Sequence, residues 1–261
     1  MKRFGIFLII LLALFFGTTL ILSFNSKNQI IEKAQNKVIV TNQNIERQIE
    51  NITETIAPRP TAILESGLPD KHLIETTFIP QAPEKNWDQP WQDACEEAAF
   101  LTAHYYYQEA TPDISTIRKD ILNLIDKEKE FGWQKDVNLG QLSQLAKDVY
   151  GYNTNVIDNP TLDQIKEYIS KDIPVIVPAD GKTLYRENRN FRDGGPYYHM
   201  LTILGYDDTR GKFTVHDVGT QYGAYFRYSY DLLVEAIHDY PTSLQKEDIK
   251  DGEKRVLVLL K

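Results

Sequence analysis

The sequence predicts an α+β domain in which several helices precede an antiparallel sheet. Helical periodicity of the apolar residues dominates residues 95–171, whereas β-type alternation dominates from residue 173 onward. Two of the predicted strands, 198–206 and 212–216, are joined by a turn short enough to make them antiparallel neighbours. Helices grouped before such strands favour an α+β domain over a doubly wound one.

The helices of the first half of the domain are predicted from the periodicity of apolar residues and from capping residues. A strand is expected first, at residues 75–80, and a long loop then leads to the first helix. Four helices are predicted in this half, at residues 95–108, 113–127, 138–150 and 161–171.

The second half of the domain is rich in β-branched and aromatic residues. Strands are predicted at 173–177, 198–206, 212–216 and 224–228, followed by a helix at 230–238 and a closing strand at 255–260. About 190 residues are thus available for one domain, which we place at residues 72–261. That length is enough to bury a proper core.

The first 26 residues differ from the rest. Residues 4–24 form a stretch of 21 residues without a charge, preceded by Lys2 and Arg3. At about 1.5 Å per residue this stretch spans a bilayer core of roughly 30 Å. We predict a single-pass membrane anchor at residues 1–26, with the following chain outside the cell because the positive residues stay inside. The alternative is a signal peptide whose cleavage releases a secreted protein, although the apolar run is long for one.

Residues 27–71 connect this segment to the domain. Isoleucine and valine recur at seven-residue spacing, which fits either a weak coiled-coil stalk or a polar spacer. Pro58 and Pro60 end any helix, so the later part of this segment is predicted to be a linker.

Composition excludes several classes of function. The formal net charge of −8 and the pI near 5.2 leave no basic surface for nucleic acid. A single cysteine excludes an intramolecular disulfide, a paired-cysteine zinc site and a Cys-x-x-Cys redox motif. None of the five histidines lies in a His-Glu-x-x-His pattern. A metal site made from histidines and carboxylates stays open, but no spacing indicates one. We expect no metal and no cofactor, and the oligomeric state stays open.

The single cysteine, Cys95, lies where a loop is predicted to enter a helix. Asp93 and Glu96 have the spacing of a capping box, which puts Cys95 in the first helical turn. Free backbone N–H groups and the positive end of the helix dipole favour a thiolate there. A lone cysteine is also commonly an inert buried residue, so a catalytic role needs partners elsewhere in the chain.

Those partners are predicted in the hairpin formed by 198–206 and 212–216. His199 lies at the beginning of its first strand, and Asp217 follows directly after its second. Antiparallel pairing brings both to the same end, where a carboxylate can orient an imidazole that accepts a thiol proton. His216 is a rival base, but alternation points it away from the side occupied by Asp217.

In this combination the chain resembles the papain-like cysteine peptidases related to the bacteriocin-processing, double-glycine-leader peptidases, and within them the stand-alone exported branch. The resemblance covers roughly residues 77–260. It rests on five motifs in order, which are Phe78 to Pro83, Asn86-Trp87, Cys95 to Ala98, Ile173 to Gly181, and Pro196 to Asp208 with Val215 to Gly219. It implies a papain-like fold whose helical part, carrying the nucleophile, packs on an antiparallel sheet carrying the histidine and the aspartate.

The resemblance also implies roles for individual residues. Cys95 would be the nucleophile, His199 the general base and Asp217 the group that orients the imidazole. A glutamine side chain would complete the oxyanion hole together with the Cys95 backbone N–H. Gln81 is expected to supply it, because it follows the Ile-Pro segment; Gln89 has the spacing of the wider papain-like group and remains the alternative, and Gln92 is also near.

Glu96 and Glu97 depart from the transporter-linked members of the group, which have a glycine after the nucleophile. We expect both carboxylates to face solvent or to cap the helix. The predicted function is a membrane-anchored thiol hydrolase that cleaves peptide bonds in a peptide or protein substrate. Two alternatives are a catalytically silent papain-like module that binds peptide or cell-wall material, and a cell-wall amidase.

Overall fold

The computed structural model describes residues 67–260. The predicted anchor at 1–26 and residues 27–66 of the predicted stalk and linker lie outside the described residues. Within residues 67–260, no helix is long and apolar enough to cross a membrane.

The described part of the chain contains the helices and most of the strands that the sequence predicts, in the predicted order, together with elements that were not predicted. In chain order the elements are β1 (Lys71–Leu73), α1 (Cys95–Tyr107), α2 (Ile114–Glu130), α3 (Leu139–Tyr150), β2 (Asn153–Asp158), α4 (Leu162–Ser170), β3 (Val175–Asp180), α5 (Gly181–Leu184), β4 (Tyr198–Asp207), β5 (Lys212–His216), β6 (Phe226–Ser229), α6 (Tyr230–Ala236) and β7 (Arg255–Leu260). Short 3-10 helices lie at Trp91–Asp93 and Lys246–Asp251.

Three of the helices begin at side-chain caps that are visible in the sequence. Asp113 caps α2, while Asn138 and Thr161 form capping boxes at the starts of α3 and α4. The last helical turn of α3 ends at Gly151, whose φ of 72° suits a residue without a Cβ. These local signals explain why the predicted helix boundaries are within three residues of those in the structure.

The strands of the described region form one antiparallel sheet with the order β2, β7, β3, β4, β5, β6, and β1 pairs with β4. The predicted hairpin is present, since Thr202 pairs with His216 and Asp207 with Lys212. The α+β fold class is therefore confirmed.

Both faces of this sheet are covered by apolar packing. Met200 of β4 belongs to a core cluster with Phe100 of α1, whereas its neighbour Leu201 belongs to a second cluster with Leu233 of α6. This alternation follows from the two-residue period of a strand. Cys95 lies in the first cluster, at the N-terminal end of α1.

Two strand predictions differ from the structure. The strand expected at 75–80 is wrong: between residue 67 and α1 the only paired strand is β1, and residues 74–81 make isolated hydrogen bonds instead, such as Gln81 N–H to the Val218 carbonyl. β2 was not predicted, because its residues are mostly polar. It forms because all six of its residues pair with β7.

Candidate active site

Cys95 is the first residue of α1 and is almost completely buried. Its place in the first helical turn agrees with the sequence prediction, but the predicted capping box is wrong. The preceding 3-10 helix ends at Asp93, so Ala94 occupies the N-cap position and makes no side-chain cap. Asp93 instead accepts a hydrogen bond from Gln89 Nε2 at 2.7 Å.

The second member of the predicted box, Glu96, turns inward. Cys95 Sγ donates to Glu96 Oε2 at 3.0 Å, and Glu96 Oε1 accepts the backbone N–H of Val137 at 3.0 Å. Glu96 and Glu97 are both buried, so the expectation that they face solvent is wrong. The reason is that the whole first half of α1, including Ala98 and its neighbours, is enclosed by the core.

These surroundings determine the state of the thiol. Burial raises the pKa of Cys95 well above its ordinary value, and the nearby carboxylates of Glu96, Asp136 and Glu97 raise it further. The expectation that the helix start favours a thiolate is therefore wrong for this arrangement. Desolvation and like charge outweigh the helix dipole.

His199 and Asp217 are brought together as the hairpin predicts. His199 Nε2 lies 2.9 Å from Asp217 Oδ1, and both side chains are buried. Because Nε2 is hydrogen-bonded to Asp217, Nδ1 is the ring nitrogen that can hydrogen-bond to another group. Phe191 contacts the imidazole edge-on at a centroid distance of 5.2 Å. The imidazole also lies so close to Gly219 that a Cβ there would be 2.6 Å from His199 Cε1.

The carboxylate of Asp217 is held by two further side chains. Its Oδ2 accepts from Asn188 Nδ2 at 2.8 Å and from the Tyr228 hydroxyl at 2.5 Å. Burial alone would raise the pKa of Asp217, but His199 and the hydrogen bonds from Tyr228 and Asn188 outweigh it and lower the pKa. Asp217 is thus an ionised group with fixed orientation.

Asn188 and Tyr228 were not found by the sequence reasoning. Asn188 lies in the segment after α5, and Tyr228 lies on β6, the strand that pairs with β5. Tyr228 ends the strand predicted at 224–228, so it could have been found by pairing that strand with the one at 212–216. Asn188 has no such signal, because it lies in irregular chain 29 residues from Asp217.

Cys95 and His199 are not joined by a hydrogen bond among residues 67–260, since the thiol donates to Glu96. Tyr198 and Met200, which flank His199 on β4, belong to the same core cluster as Cys95. The His199 side chain alternates to the other face of the strand and contacts Phe191 of the second cluster. Thr202 Oγ1 of β4 also donates to the Ala99 carbonyl of α1 at 2.9 Å. The start of α1 is therefore packed on the strand that carries His199.

The three glutamines have different surroundings. Gln81 is buried and lies between the two parts of the site: its backbone N–H donates to Val218, and its side-chain Nε2 donates to the Trp91 carbonyl at 2.9 Å. Gln89 and Gln92 are exposed. The structure therefore places Gln81, rather than Gln89, between the segment after Asp217 and the segment before Cys95.

His216, the rival base, lies apart from Asp217's carboxylate. Its ring packs edge-on against Phe78 and Tyr225 at centroid distances of 5.3 and 4.6 Å. Neither ring nitrogen has a hydrogen-bond partner among the described residues, and burial lowers its pKa to about 4. His216 is therefore a neutral core residue at neutral pH.

A metal centre is not apparent in the described part of the chain, where no group of three or more His, Cys, Asp or Glu side chains has the arrangement to hold an ion. The arrangement of Cys95, Glu96, His199 and Asp217 can support acid–base and nucleophilic chemistry of a thiol.

Comparison with known proteins identifies similar chains. Residues 74–242 match the Peptidase_C39-like family. A solved structure from Bacillus anthracis, described as a C39-like peptidase, is 15% identical, with a TM-score of 0.47, over 73% of this chain and 98% of that one. Xylellain, a cysteine protease from Xylella fastidiosa, is 13% identical, with a TM-score of 0.39, over 74% of this chain and 86% of that one. No curated protein matches.

Proposed function

We propose that this chain, which belongs to the Peptidase_C39-like family and is a cysteine peptidase, cleaves peptide bonds with Cys95, His199 and Asp217 as its catalytic triad. The observation that carries the proposal is the buried contact of 2.9 Å between His199 Nε2 and Asp217 Oδ1. An imidazole held in this way keeps Nδ1 for the thiol proton, and the carboxylate stabilises the imidazolium that forms.

The proposed reaction is acyl transfer through the sulfur of Cys95. The thiol proton moves to His199 Nδ1, and the thiolate attacks the carbonyl carbon of the substrate amide. The imidazolium then gives its proton to the leaving amine as the carbon–nitrogen bond breaks, which leaves a thioester on Cys95. A water molecule, deprotonated by His199, attacks this thioester and releases the carboxylic acid, and the proton returns to the thiol.

The oxyanion of each tetrahedral intermediate needs donors. The backbone N–H of Cys95 is the first proposed donor, because the first N–H groups of a helix have no partner within the helix. Gln81 is the proposed second donor. Its amide nitrogen carries two hydrogens, of which the Trp91 carbonyl accepts one, so the other remains for a substrate oxygen.

The location of the enzyme is proposed from the sequence. Residues 1–26 combine an uncharged apolar stretch with two N-terminal positive charges, which favours a retained single-pass anchor and an extracytoplasmic peptidase domain. The test is to express the full chain and a variant lacking residues 1–26 in the host cell. We expect the full chain to be found in the membrane fraction and to be digested by protease added to intact cells. A full chain that is protected in intact cells would contradict the orientation.

Peptide hydrolysis tests the triad. The wild type should cleave members of a fluorogenic peptide library, and Cys95→Ala and His199→Ala should each remove the activity. His72→Ala is the matched control, because its imidazole pairs with Asp172 on an exposed part of the domain. Activity retained in both the Cys95 and the His199 variant would refute the assignment.

One observation favours a second candidate, a catalytically silent module that binds peptide or cell-wall material. The Cys95 thiol is hydrogen-bonded to a carboxylate, and its surroundings oppose thiolate formation. Wild-type protein that binds peptide or peptidoglycan without cleaving a peptide library, casein or purified peptidoglycan would support this candidate. Release of peptide from peptidoglycan with casein left intact would instead indicate a cell-wall amidase.

A further inference from the structure

We propose that Glu96 is a positioning residue that holds the thiol proton of Cys95, so that the proposed peptidase rests with a protonated nucleophile directed at Glu96 instead of His199. This inference deepens the proposed function and rests on it, since it takes Cys95 to be the nucleophile.

The hydrogen bond between Cys95 and Glu96 is short, and each carboxylate oxygen of Glu96 has its own partner. Cys95 Sγ lies 3.0 Å from Glu96 Oε2, and Glu96 Oε1 is held by the Val137 N–H at 3.0 Å. Val137 is fixed in turn, because its carbonyl accepts the Tyr198 hydroxyl at 2.8 Å. The carboxylate therefore has an anchor that is independent of the thiol, as a group that positions a proton must have.

No cation neutralises this carboxylate. Among the described residues no lysine, arginine or histidine lies within ion-pair distance of Glu96, and its side chain is inaccessible to solvent. The titratable groups around the Cys95 and Glu96 pair are acids and phenols, which come from its own helix, from α2, from the segment before α3, from β4 and from the chain after α6. They are Glu97, Glu128, Asp136, Tyr198, Asp239 and Tyr240.

The location of the proton follows from this environment. Burial and the neighbouring carboxylates of Glu97 and Asp136 raise the pKa of Glu96 as well as that of Cys95. A thiol is ordinarily a weaker acid than a carboxyl group by about four pKa units, so Glu96 ionises first and, once it is charged, the shared proton belongs on sulfur. Losing that proton to solvent would leave two negative charges about 3 Å apart in a buried site, which like-charge repulsion opposes. Glu96 therefore suppresses the thiolate in this arrangement.

Catalysis then requires the proton to change partner. His199 has Nδ1 available, because Nε2 is taken by Asp217. Transfer of the S–H from Glu96 Oε2 to Nδ1 exchanges one acceptor for the other without changing the net charge of the site, and it requires the Cys95 and His199 side chains to be brought together. A substrate that displaces the thiol from Glu96 on binding would thus start the reaction.

The test is the pH dependence of alkylation by iodoacetamide, followed by intact-protein mass. Labelling reports on Cys95 alone, because the chain has no other cysteine. Wild type, Glu96→Gln and Glu97→Gln are compared. Glutamine keeps an oxygen for the Val137 N–H but removes the charge. Glu97 is the matched control, since it is equally buried on the same helical turn and the thiol donates its hydrogen bond to Glu96 instead.

In Glu96→Gln we expect the midpoint of the alkylation profile to fall by at least about one pH unit, because a like charge within about 4–6 Å shifts a pKa by that order. A thiolate of lower pKa is also a weaker nucleophile, so the rate at pH 7 should rise only about threefold per unit. Glu97→Gln should shift the midpoint by less than half as much. A merely structural role of Glu96 would move the thermal midpoint but not this profile.

An unchanged or higher midpoint in Glu96→Gln would overturn the inference; a higher one would mean that Glu96 assists thiolate formation. If Glu96→Gln does not fold, Glu96→Met removes the same charge with a side chain suited to apolar surroundings, and the same shift is expected. The alkylation profile does not depend on peptide hydrolysis. A shifted midpoint in a protein that cleaves no peptide would therefore refute the proposed function and leave the role of Glu96 in holding the thiol proton intact.

Discussion

The Tyr228 hydroxyl is predicted to stabilise the ionised form of Asp217, and Tyr228→Phe isolates that hydrogen bond. The substitution removes one donor from Asp217 Oδ2 and leaves the second, Asn188 Nδ2 at 2.8 Å, in place. The aromatic ring, which is fully buried between the sheet and α6, keeps its packing. The change is therefore confined to a single hydrogen bond to a buried charge.

The expected magnitude follows from the kind of bond. A hydrogen bond to a charged group contributes about 1.5–3 kcal/mol, and Asp217 is buried without solvent to replace the lost donor. We expect Tyr228→Phe to lower the free energy of unfolding by about 2 kcal/mol at pH 7. The folded-state pKa of Asp217 lies below its unfolded value, so its stabilising contribution is present above the unfolded pKa. The difference between variant and wild type should shrink as the pH falls through the folded-state pKa.

Urea unfolding followed by circular dichroism at several pH values measures this difference. Tyr230→Phe is the matched control, because the Tyr230 hydroxyl donates to Asp208 at 2.7 Å at an exposed position. The control should lose less than about 1 kcal/mol, since solvent replaces an exposed donor. Equal losses in the two variants, or a Tyr228→Phe loss below about 0.5 kcal/mol at pH 7, would refute the role given to Tyr228.

Three further predictions concern single residues. Gln81→Ala should lower kcat by about 100- to 1,000-fold, as loss of an oxyanion donor does, while Gln89→Ala should leave kcat within about threefold in the same peptide assay. Gly219→Ala should displace the His199 imidazole and lower kcat at least about tenfold with little change in KM, because the new Cβ would meet the ring; full activity would contradict this packing. His216 has a folded pKa of about 4, below its unfolded value, so wild type should lose about 1.6 kcal/mol of stability between pH 6.5 and 5. His216→Leu should not show that loss in urea unfolding, and parallel curves for the two proteins would exclude the neutral, buried state.

The parts of the fold that the sequence predicted are those with local signals. Asn138 and Thr161 predict the starts of the helices that they cap. Alternation along β4 and β5, together with the short turn between them, predicts the hairpin. β2 was not predicted because its stability comes from pairing with β7, about a hundred residues further along the chain. The burial of Glu96 and Glu97 at the start of α1 was also missed, because it depends on packing against residues that are distant in the sequence.

The candidate site likewise contains one contact that the sequence pattern predicts and another that it does not. The approach of His199 to Asp217 follows from strand pairing, so it could be predicted. The inward turn of Glu96 depends on Val137, 41 residues away, which supplies the backbone N–H that holds the carboxylate. No local pattern encodes that contact. The spacing of Asp93 and Glu96 instead pointed to a capping box, which the preceding 3-10 helix prevents.

The most direct measurement of the proposed triad is covalent trapping of Cys95 by a peptidyl vinyl sulfone, read by intact-protein mass. We expect one adduct on the wild type, none on Cys95→Ala, and labelling at least about 100-fold slower in His199→Gln, since loss of a general base costs about that factor. Asp217→Asn should also label more slowly than wild type. Equal labelling rates in the wild type and His199→Gln would contradict the claim that His199 activates the thiol.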